Sequence, residues 1–266
     1  MSNDVPAPRL GSFRQRLLAR ERLVGTFVKT PTSHTTEILG DVGFDFVIID
    51  QEHAPFDRLT TDAALLGARA SGMAGIVRVP RLESSHILGA LDDGAVGVMA
   101  PHITSAERAR ELVSFSRYRN GRRGFSNSPR AGRYGGKDFG THIAEGDMQT
   151  TVVAMIEDAE AVDNIGSIVA VEGLDAIFIG RADLTLSLGE TAFGASLVQR
   201  TVERICSAAR EASMPVWVPA TSAAERDAYE ALGATVFVVA TDQAFIRRAA
   251  AASLLEFRGS SPGQRT

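Results

Sequence analysis

Short apolar runs alternate with segments of helical period along most of the chain. Runs rich in Val, Ile and Phe occupy positions 25–29, 45–50, 75–80, 95–101, 151–157, 175–180, 215–220 and 235–240. Such continuous apolar runs are typical of strands covered on both faces, as in parallel sheets. Helical spacing is found over 35–42, 59–71, 84–92, 106–118, 159–171, 197–212, 223–232 and 243–257. Five glycines lie where a helix would end before the next strand, the usual C-cap position: Gly43, Gly72, Gly94, Gly173 and Gly233.

Eight strand–helix units within about 250 residues predict a (β/α)8 barrel. We expect one barrel domain over 13–257, with a loose leader at 1–12 and a frayed tail at 258–266. The alternative is an open, doubly wound sheet, which usually has fewer strands and often a glycine-rich phosphate turn. No G-x-G-x-x-G follows the first run, and no G-x-x-x-x-G-K-[ST] is present. The barrel is therefore favoured.

Charge and cysteine content exclude several classes of protein. The chain has 28 Lys and Arg against 32 Asp and Glu, a net charge of −4, which argues against a nucleic-acid binder. The single cysteine, Cys206, cannot form an intramolecular disulfide or a cysteine-based zinc cluster. No apolar run approaches the ~18 residues of a membrane span, and the N-terminal residues have no apolar signal core. We therefore expect a cytoplasmic protein without membrane or nucleic-acid partners.

One segment breaks the alternation. Residues 117–137 contain five glycines and seven Lys or Arg, with no acidic residue. The segment is long for a connection, which indicates a function or a partner. It could be a solvated basic loop, a flap that recognises an anionic substrate, or a surface that docks on another subunit.

In a (β/α)8 barrel the active site lies at the carboxyl ends of the strands. The polar residues expected there are Asp50, Gln51, Glu52 and His53 after the second run, Arg78 in the third, Pro101–His102 after the fourth, Glu157–Asp158 after the fifth, and Gly180, Arg181, Ala182 and Asp183 after the sixth. If the barrel forms, these groups converge on one mouth.

The residue types at this mouth suit acid–base and metal chemistry. Glu157 and Asp183 can hold a hard divalent cation through oxygen while leaving positions for water and substrate. His53 is a candidate base, and Arg78 can stabilise a carboxylate or a developing oxyanion. The backbone N–H groups that follow Gly180 form a candidate carboxylate site. Alternatively, the two acids are only helix caps or first-turn acids, which favour the same positions.

Six segments resemble one known family in the same order. They are TEILGDVGFDFVIIDQEHAPFD (36–57), VRVP (77–80), ALDDGAVGVMAPHITSAERA (90–109), RYRNGRRG (117–124), IED (156–158) and VEGLDAIFIGRADLTLSLG (171–189). The chain resembles the HpcH/HpaI metal-dependent pyruvate aldolases from about Phe13 to Ala250. The resemblance implies a barrel of the phosphoenolpyruvate/pyruvate type. It also implies a homohexamer, a trimer of dimers that exchange a terminal helix.

The resemblance also assigns roles to residues. It implies that Glu157 and Asp183 bind Mg2+, Mn2+ or Co2+. His53 falls on the family's acid–base histidine, with Asp50 as its partner and Glu52 between them.

Two further residues complete the implied set. Arg78 falls on the arginine that stabilises the enolate. Asp92 falls on an acid that contacts the reacting side chains and not the substrate. Gly180, Arg181 and Ala182 fall where the backbone holds the substrate carboxylate.

The chain departs from the family's pattern near these residues. Met155 stands where many members have Gln, Arg181 where many have Pro, and Thr185 where many have Ser. Arg181 could bind a second anionic group or pair with an acid such as Asp158. Lys29, at the end of the first run, leaves a Schiff-base mechanism formally open.

The leading hypothesis is a lyase that cleaves a 4-hydroxy-2-oxo acid to pyruvate and an aldehyde through a metal-bound pyruvate enolate. A second hypothesis is oxaloacetate-type chemistry, decarboxylation or condensation with another acceptor. A surplus of arginines would suit its acidic substrates: Arg123, Arg130, Arg133 and Arg181. A third is a non-catalytic relative that binds a metal–oxoacid complex.

Overall fold

Eight parallel strands form a closed barrel in sequence order, confirming the predicted (β/α)8 architecture. The computed structural model describes residues 13–258. The strands are β1 (Leu23–Val28), β2 (Phe46–Asp50), β3 (Ala74–Arg78), β4 (Gly97–Ala100), β5 (Thr151–Ile156), β6 (Ala176–Ile179), β7 (Val216–Pro219) and β8 (Val236–Thr241). The helices are α1 (Phe13–Leu18), α2 (Ser33–Val42), α3 (Arg58–Ala70), α4 (Ser84–Asp92), α5 (Ala106–Ser116), α6 (Phe139–Gln149), α7 (Ala159–Asp163), α8 (Ile165–Val169), α9 (Arg181–Ser187), α10 (Ser196–Glu211), α11 (Ala223–Ala231) and α12 (Asp242–Arg258).

The register of the strands brings the predicted polar residues level with one another. β2 pairs with β3 so that Asp50 lies opposite Arg78. The barrel closes where Leu23 of β1 pairs with Val236 of β8. Because all strands run the same way, their carboxyl ends meet at one mouth.

Large side chains fill the inside of the barrel. Trp217 of β7 and Phe46 of β2 are fully buried, with ring centroids 4.8 Å apart. Phe13 of α1 lies 6.1 Å from the Trp217 ring, edge to face, so α1 covers the amino end. A second cluster, which includes Ile49 and Leu65, packs between the strands and the helices. The interior is therefore a packed core, and chemistry is confined to the rim.

The predicted elements match the observed ones with a few differences. The predicted helix over 159–171 is broken at Asn164 into α7 and α8. Two helices were not predicted, α1 and α6, whereas α9 begins directly after Gly180, where a turn from strand into helix was expected. Helix α12 continues through Arg258, the first residue of the predicted tail; the rest of that tail and the leader lie outside the described residues.

Glycines end the helices as predicted. Gly43 has φ 106°, and its N–H bonds back to carbonyls of α2. Gly94, after α4, has φ 98°. Both conformations are strained for residues with a Cβ. Within residues 13–258, no helix is both long enough and apolar enough to cross a membrane.

Candidate active site

An arginine, a carboxylate and a lysine are joined at the mouth. Asp50 is fully buried at the end of β2. Its Oδ1 and Oδ2 accept hydrogen bonds from Nε and Nη2 of Arg78 at 2.9 and 2.7 Å. Lys29 Nζ lies 2.9 Å from Asp50 Oδ2. Burial disfavours the charged carboxylate, but Arg78 and Lys29 outweigh it and lower the pKa of Asp50 to about 2.

The guanidinium of Arg78 is held on several sides. Its third nitrogen, Nη1, lies 3.1 Å from Glu52 Oε2. Its Cζ lies 4.8 Å from the centroid of the Phe27 ring on β1. Because the guanidinium is planar and fixed at three nitrogens, its orientation is set before any substrate binds. A buried arginine in an apolar strand needs a charged partner, and Asp50 is that partner here.

Glu157 lies at the same mouth, buried after β5. Only 2% of the residue is exposed, and Oε1 accepts a hydrogen bond from the backbone N–H of His102 at 2.9 Å. The pKa of Glu157 is raised to about 7, chiefly by burial and also by the like charges of Glu52 and Asp183, while His102 acts in the opposite direction. A Cβ at Gly180 would lie 2.5 Å from Glu157 Oε2, so this position has to be glycine for the carboxylate to fit.

This arrangement fits a divalent cation. Asp183 lies in the first turn of α9, directly after β6, and its charge acts on Glu157. Carboxylate oxygens are the donors that hard cations prefer, and here one of the two carboxylates, that of Glu157, is buried. No group of three or more His, Cys, Asp or Glu suited to a metal occurs among residues 13–258. A cation here would therefore have two protein carboxylates and open positions for water or substrate.

His102 is more closely bound into this site than sequence reasoning expected. It has φ 54°, a rare conformation for a non-glycine residue. Its Nδ1 lies 3.1 Å from Asp158 Oδ2 and 3.7 Å from Glu157 Oε1. Burial lowers the pKa of His102, but these carboxylates outweigh it and the pKa is raised. The Pro-His pair directly after the fourth apolar run was the only signal in the sequence.

His53 lies at the edge of the mouth. Its side chain is 56% exposed, and Nε2 is 3.9 Å from Glu52 Oε2. The backbone N–H of His53, not its ring, donates to Asp50 Oδ1 at 3.1 Å. The expected pairing of His53 with Asp50 is therefore a backbone contact in this chain, and the ring stays free to approach a substrate.

Lys29 was considered in the sequence only as a Schiff-base candidate. Its Nζ is paired with Asp50 Oδ2 at 2.9 Å, so this contact would have to break before the amine could attack a carbonyl carbon. Lys29 thus adds a second cation beside Arg78.

Several arginines and one acid lie away from the mouth. Asp92 ends α4 at the amino end of the barrel, where its Oδ1 is 3.4 Å from Arg123 Nη2. Within one chain Asp92 therefore lies away from the reacting groups, and its expected supporting role stays a prediction. Arg123, Arg130 and Arg133 line a cavity at that same end, so they do not enlarge the cationic surface of this chain's mouth.

Arg181 is directed toward the outer helices. Its Nη1 donates to a carboxylate oxygen of Glu225 and, at 2.9 Å, to the hydroxyl of Tyr229, both on α11. The ring of Phe193 lies 4.9 Å from its Cζ. The side chain pairs with Glu225, not with Asp158 as one expectation had it. Met155 is buried inside the barrel.

The site and fold define an aldolase-type barrel, and comparison with known proteins agrees. A model of the HpcH/HpaI aldolase/citrate lyase family matches residues 23–249. The chain belongs to this family, as its motifs indicated. It is therefore a carbon–carbon lyase of the aldolase kind.

Individual relatives span almost the whole chain. A 5-keto-4-deoxy-D-glucarate aldolase of Escherichia coli O157:H7 is 33% identical over 251 residues, 94% of this chain and 96% of the relative. A crystal structure of a family member from Burkholderia cenocepacia J2315 has a TM-score of 0.88 at 30% identity, covering 94% of this chain and 100% of that one. The citrate synthase SbnG has a TM-score of 0.83 at 29% identity, covering 92% and 96%.

Proposed function

We propose that the protein is a divalent-metal-dependent pyruvate aldolase that cleaves a 4-hydroxy-2-oxo acid to pyruvate and an aldehyde. The observation that carries this proposal is the Arg78 guanidinium, fixed by Asp50 at the same mouth as the buried carboxylate of Glu157. Glu157 and Asp183 would hold Mg2+, Mn2+ or Co2+. When bound, such an ion supplies Lewis-acid polarisation of the 2-oxo acid.

The protein's own residues bind the substrate, remove its proton and stabilise the enolate. The first-turn N–H groups of α9, from Arg181 to Asp183, bind the substrate carboxylate. Proton removal from the C4 hydroxyl falls to His53, whose exposed ring borders the mouth. As the C3–C4 bond breaks, negative charge develops on the enolate oxygen, and the preoriented Arg78 stabilises it. Reprotonation of the enolate carbon releases pyruvate.

Deuterium exchange into the methyl group of pyruvate tests this proposal without knowledge of the aldehyde. Chelator-treated protein in D2O is followed by NMR, before and after Mg2+, Mn2+ or Co2+ is restored. We expect exchange only with metal, and none in Glu157→Gln. The absence of exchange in folded protein with every metal would contradict enolate formation from pyruvate.

Oxaloacetate-type chemistry is the second candidate, and the likeness to a citrate synthase favours it. Of the arginines and the lysine named in the sequence analysis, Arg78 and Lys29 lie beside Asp50. Release of CO2 from oxaloacetate, together with no pyruvate exchange, would favour this candidate over the aldolase.

We infer further that the chains assemble as a hexamer of helix-exchanging dimers. In α12 the apolar side chains face solvent within one chain, with Ile246 60% and Leu255 63% exposed. A partner chain would cover them and gain the hydrophobic stabilisation. Light scattering should give six chains, and Ile246→Glu with Leu255→Glu should give a smaller species. A cytoplasmic location remains a prediction from the sequence.

A further inference from the structure

The cavity that Arg123, Arg130 and Arg133 line lies at the opposite end of the barrel from the mouth. It has a volume of about 340 Å³ and borders Gly75 at the start of β3 and Val96 just before β4. Its outer wall comes from the basic segment and from α6. The sequence left the role of that segment open.

Positive charge exceeds negative charge around this cavity. Five cations line it: Arg69, Arg123, Arg130, Arg133 and Lys137. Three have carboxylate partners, on Asp92 for Arg123, on Asp62 for Arg130 and on Glu145 for Lys137.

The remaining two cations are unmatched. Arg69 and Arg133 are exposed, and they form no ion pair within residues 13–258. The cavity thus carries an excess of two positive charges.

Among these cations, Arg123 is the buried one whose hydrogen-bond donors are least satisfied. Its side chain is 3% exposed, and its nearest carboxylate contact is the 3.4 Å approach to Asp92. Its Nε has no hydrogen-bond partner among the described residues. The face of its guanidinium lies 4.3 Å from the Tyr118 ring, which accepts no conventional hydrogen bond. A buried guanidinium with unused donors is costly unless an acceptor completes it.

The carboxylate of Asp92 does not compensate for the unused donors of Arg123. Burial raises the pKa of Asp92 even though Arg123 lies beside it. The ion pair between Arg123 and Asp92 is therefore weak. An anionic oxygen would accept a hydrogen bond from the unused donor of Arg123 and offset the excess positive charge of the cavity.

Two glycines make room for the arginines. A Cβ at Gly146 would lie 2.8 Å from the Tyr118 ring on which Arg123 rests, and one at Gly94 would lie 3.0 Å from Cδ of Arg130. Leu65, Met73 and Val96 add apolar surface to the lining. Cationic groups over an apolar floor suit a small molecule with a carbon skeleton and anionic ends.

We propose that this cavity binds a compact organic anion that carries a phosphate or two or more carboxylates. Arg123, Arg69 and Arg133 contact its oxygens, and the apolar floor contacts its carbon skeleton. The site is a binding site without chemistry, at the end of the barrel opposite the reaction, and it is independent of the function proposed for the mouth.

Calorimetric titration of chelator-treated, extensively dialysed protein tests this assignment. Inorganic phosphate, glycerol 3-phosphate, succinate and citrate are compared at constant ionic strength, so that phosphate and carboxylate ligands are distinguished. Dialysis is needed because the chelator is itself an anion. We expect saturable binding of at least one probe at one site per chain. Removal of both rim cations in the double variant R69Q/R133Q should weaken it at least tenfold.

Arg119→Gln is the matched control. Arg119 is an exposed arginine in the same segment that does not line the cavity, so its loss should leave the affinity within about twofold. Circular dichroism and thermal melting confirm that both variants fold.

Three outcomes would overturn the proposal. One is no binding beyond the ionic-strength effect for any probe. Another is equal weakening by Arg119→Gln and by R69Q/R133Q. The third is a changed number of subunits in R69Q/R133Q, measured by light scattering, with anion affinity unaltered; these cations would then serve contact with a second copy of the chain.

Discussion

The two ends of the barrel differ in the sign of the buried charge that lacks a full set of partners. At the carboxyl end, Arg78 is matched by Asp50 and Glu52, and the buried group without a full partner is the carboxylate Glu157. At the amino end, among residues 13–258, the buried charged group with an unpartnered nitrogen is the guanidinium of Arg123. In our two proposals, one end therefore binds a cation and the other binds an anion.

The difference follows from how each end is built. At the mouth, strand ends place each side chain, so the register of the barrel sets the geometry. At the amino end, an added segment and α6 bring the arginines over the strands. Functional residues at strand ends are easier to predict from the sequence than functional residues in an irregular segment.

The largest effect is expected from Glu157→Gln. The substitution keeps the shape of the side chain but removes one of two candidate metal ligands. Turnover should fall below about one-thousandth of the wild-type value, because Lewis-acid stabilisation contributes several kcal/mol. The metal should also no longer raise the melting temperature. Glu145→Gln, at the amino end, is the control and should retain turnover; near-normal rates in Glu157→Gln would refute the metal assignment.

Arg78→Met should reduce both turnover and stability. Loss of the enolate donor should lower kcat by about 10²–10³-fold. Asp50 would keep Lys29 as its cationic partner, and breaking a buried pair costs about 3–5 kcal/mol. Chemical denaturation measures this loss, and Arg58→Met, which breaks the exposed pair with Asp93, should cost at most ~1 kcal/mol.

A double variant separates the two roles of Arg78. Asp50→Asn in the Arg78→Met background removes the stranded charge, so stability should partly recover while turnover does not. Recovery of turnover would contradict the role of Arg78 in stabilising the enolate.

The metal-free protein should lose stability as pH rises from about 4.5 to 7. Over this range the folded state retains a proton on Glu157, whose pKa is about 7, while the unfolded state has released it. The folded state is thus favoured at low pH, by at most about 1.4 kcal/mol per pH unit, and the effect is complete above pH 7. Urea denaturation at pH 5 and pH 8 should show a smaller difference in Glu157→Gln than in wild type. An equal difference in both proteins would contradict this account.

Much of the fold was accessible from the sequence because parallel strands leave a strong signal. The eight apolar runs and the glycines after helices fall where the structure has them. The break at Asn164 was not accessible, since the helical period continues through it. Helix α6 was missed because its burial depends on contacts with the distant basic segment, such as that of His142 with Tyr118.

The candidate site was anticipated in part. Strand ends supplied Asp50, Arg78 and Glu157, whose proximity follows from barrel geometry. Asp92 ends a helix, so within one chain it lies at the opposite rim from the strand ends. Its role was assigned by resemblance alone and stays a prediction. His102 was ranked too low because its left-handed backbone, which lets its N–H reach Glu157, has no sequence signature.

Lys29→Met should have a moderate effect at the mouth. Asp50 keeps the two hydrogen bonds from Arg78, so we expect a loss of about 1–2 kcal/mol in stability and roughly tenfold in turnover. Borohydride with pyruvate should trap no adduct in the wild type. A trapped adduct that disappears in Lys29→Met would instead indicate a Schiff base on this lysine.

The smallest effect is expected from Arg181→Gln. Its guanidinium bonds to Glu225 and Tyr229 on α11, away from Asp183. The loss of this partly exposed pair should cost about 1 kcal/mol, and KM should stay within about twofold, because the substrate carboxylate is bound by backbone N–H groups that the substitution leaves in place. Steady-state kinetics with the identified substrate measures this. A KM raised tenfold or more would mean that the Arg181 side chain turns inward and binds the substrate, which would place a third cation at a mouth where only Arg78 and Lys29 now lie beside Asp50.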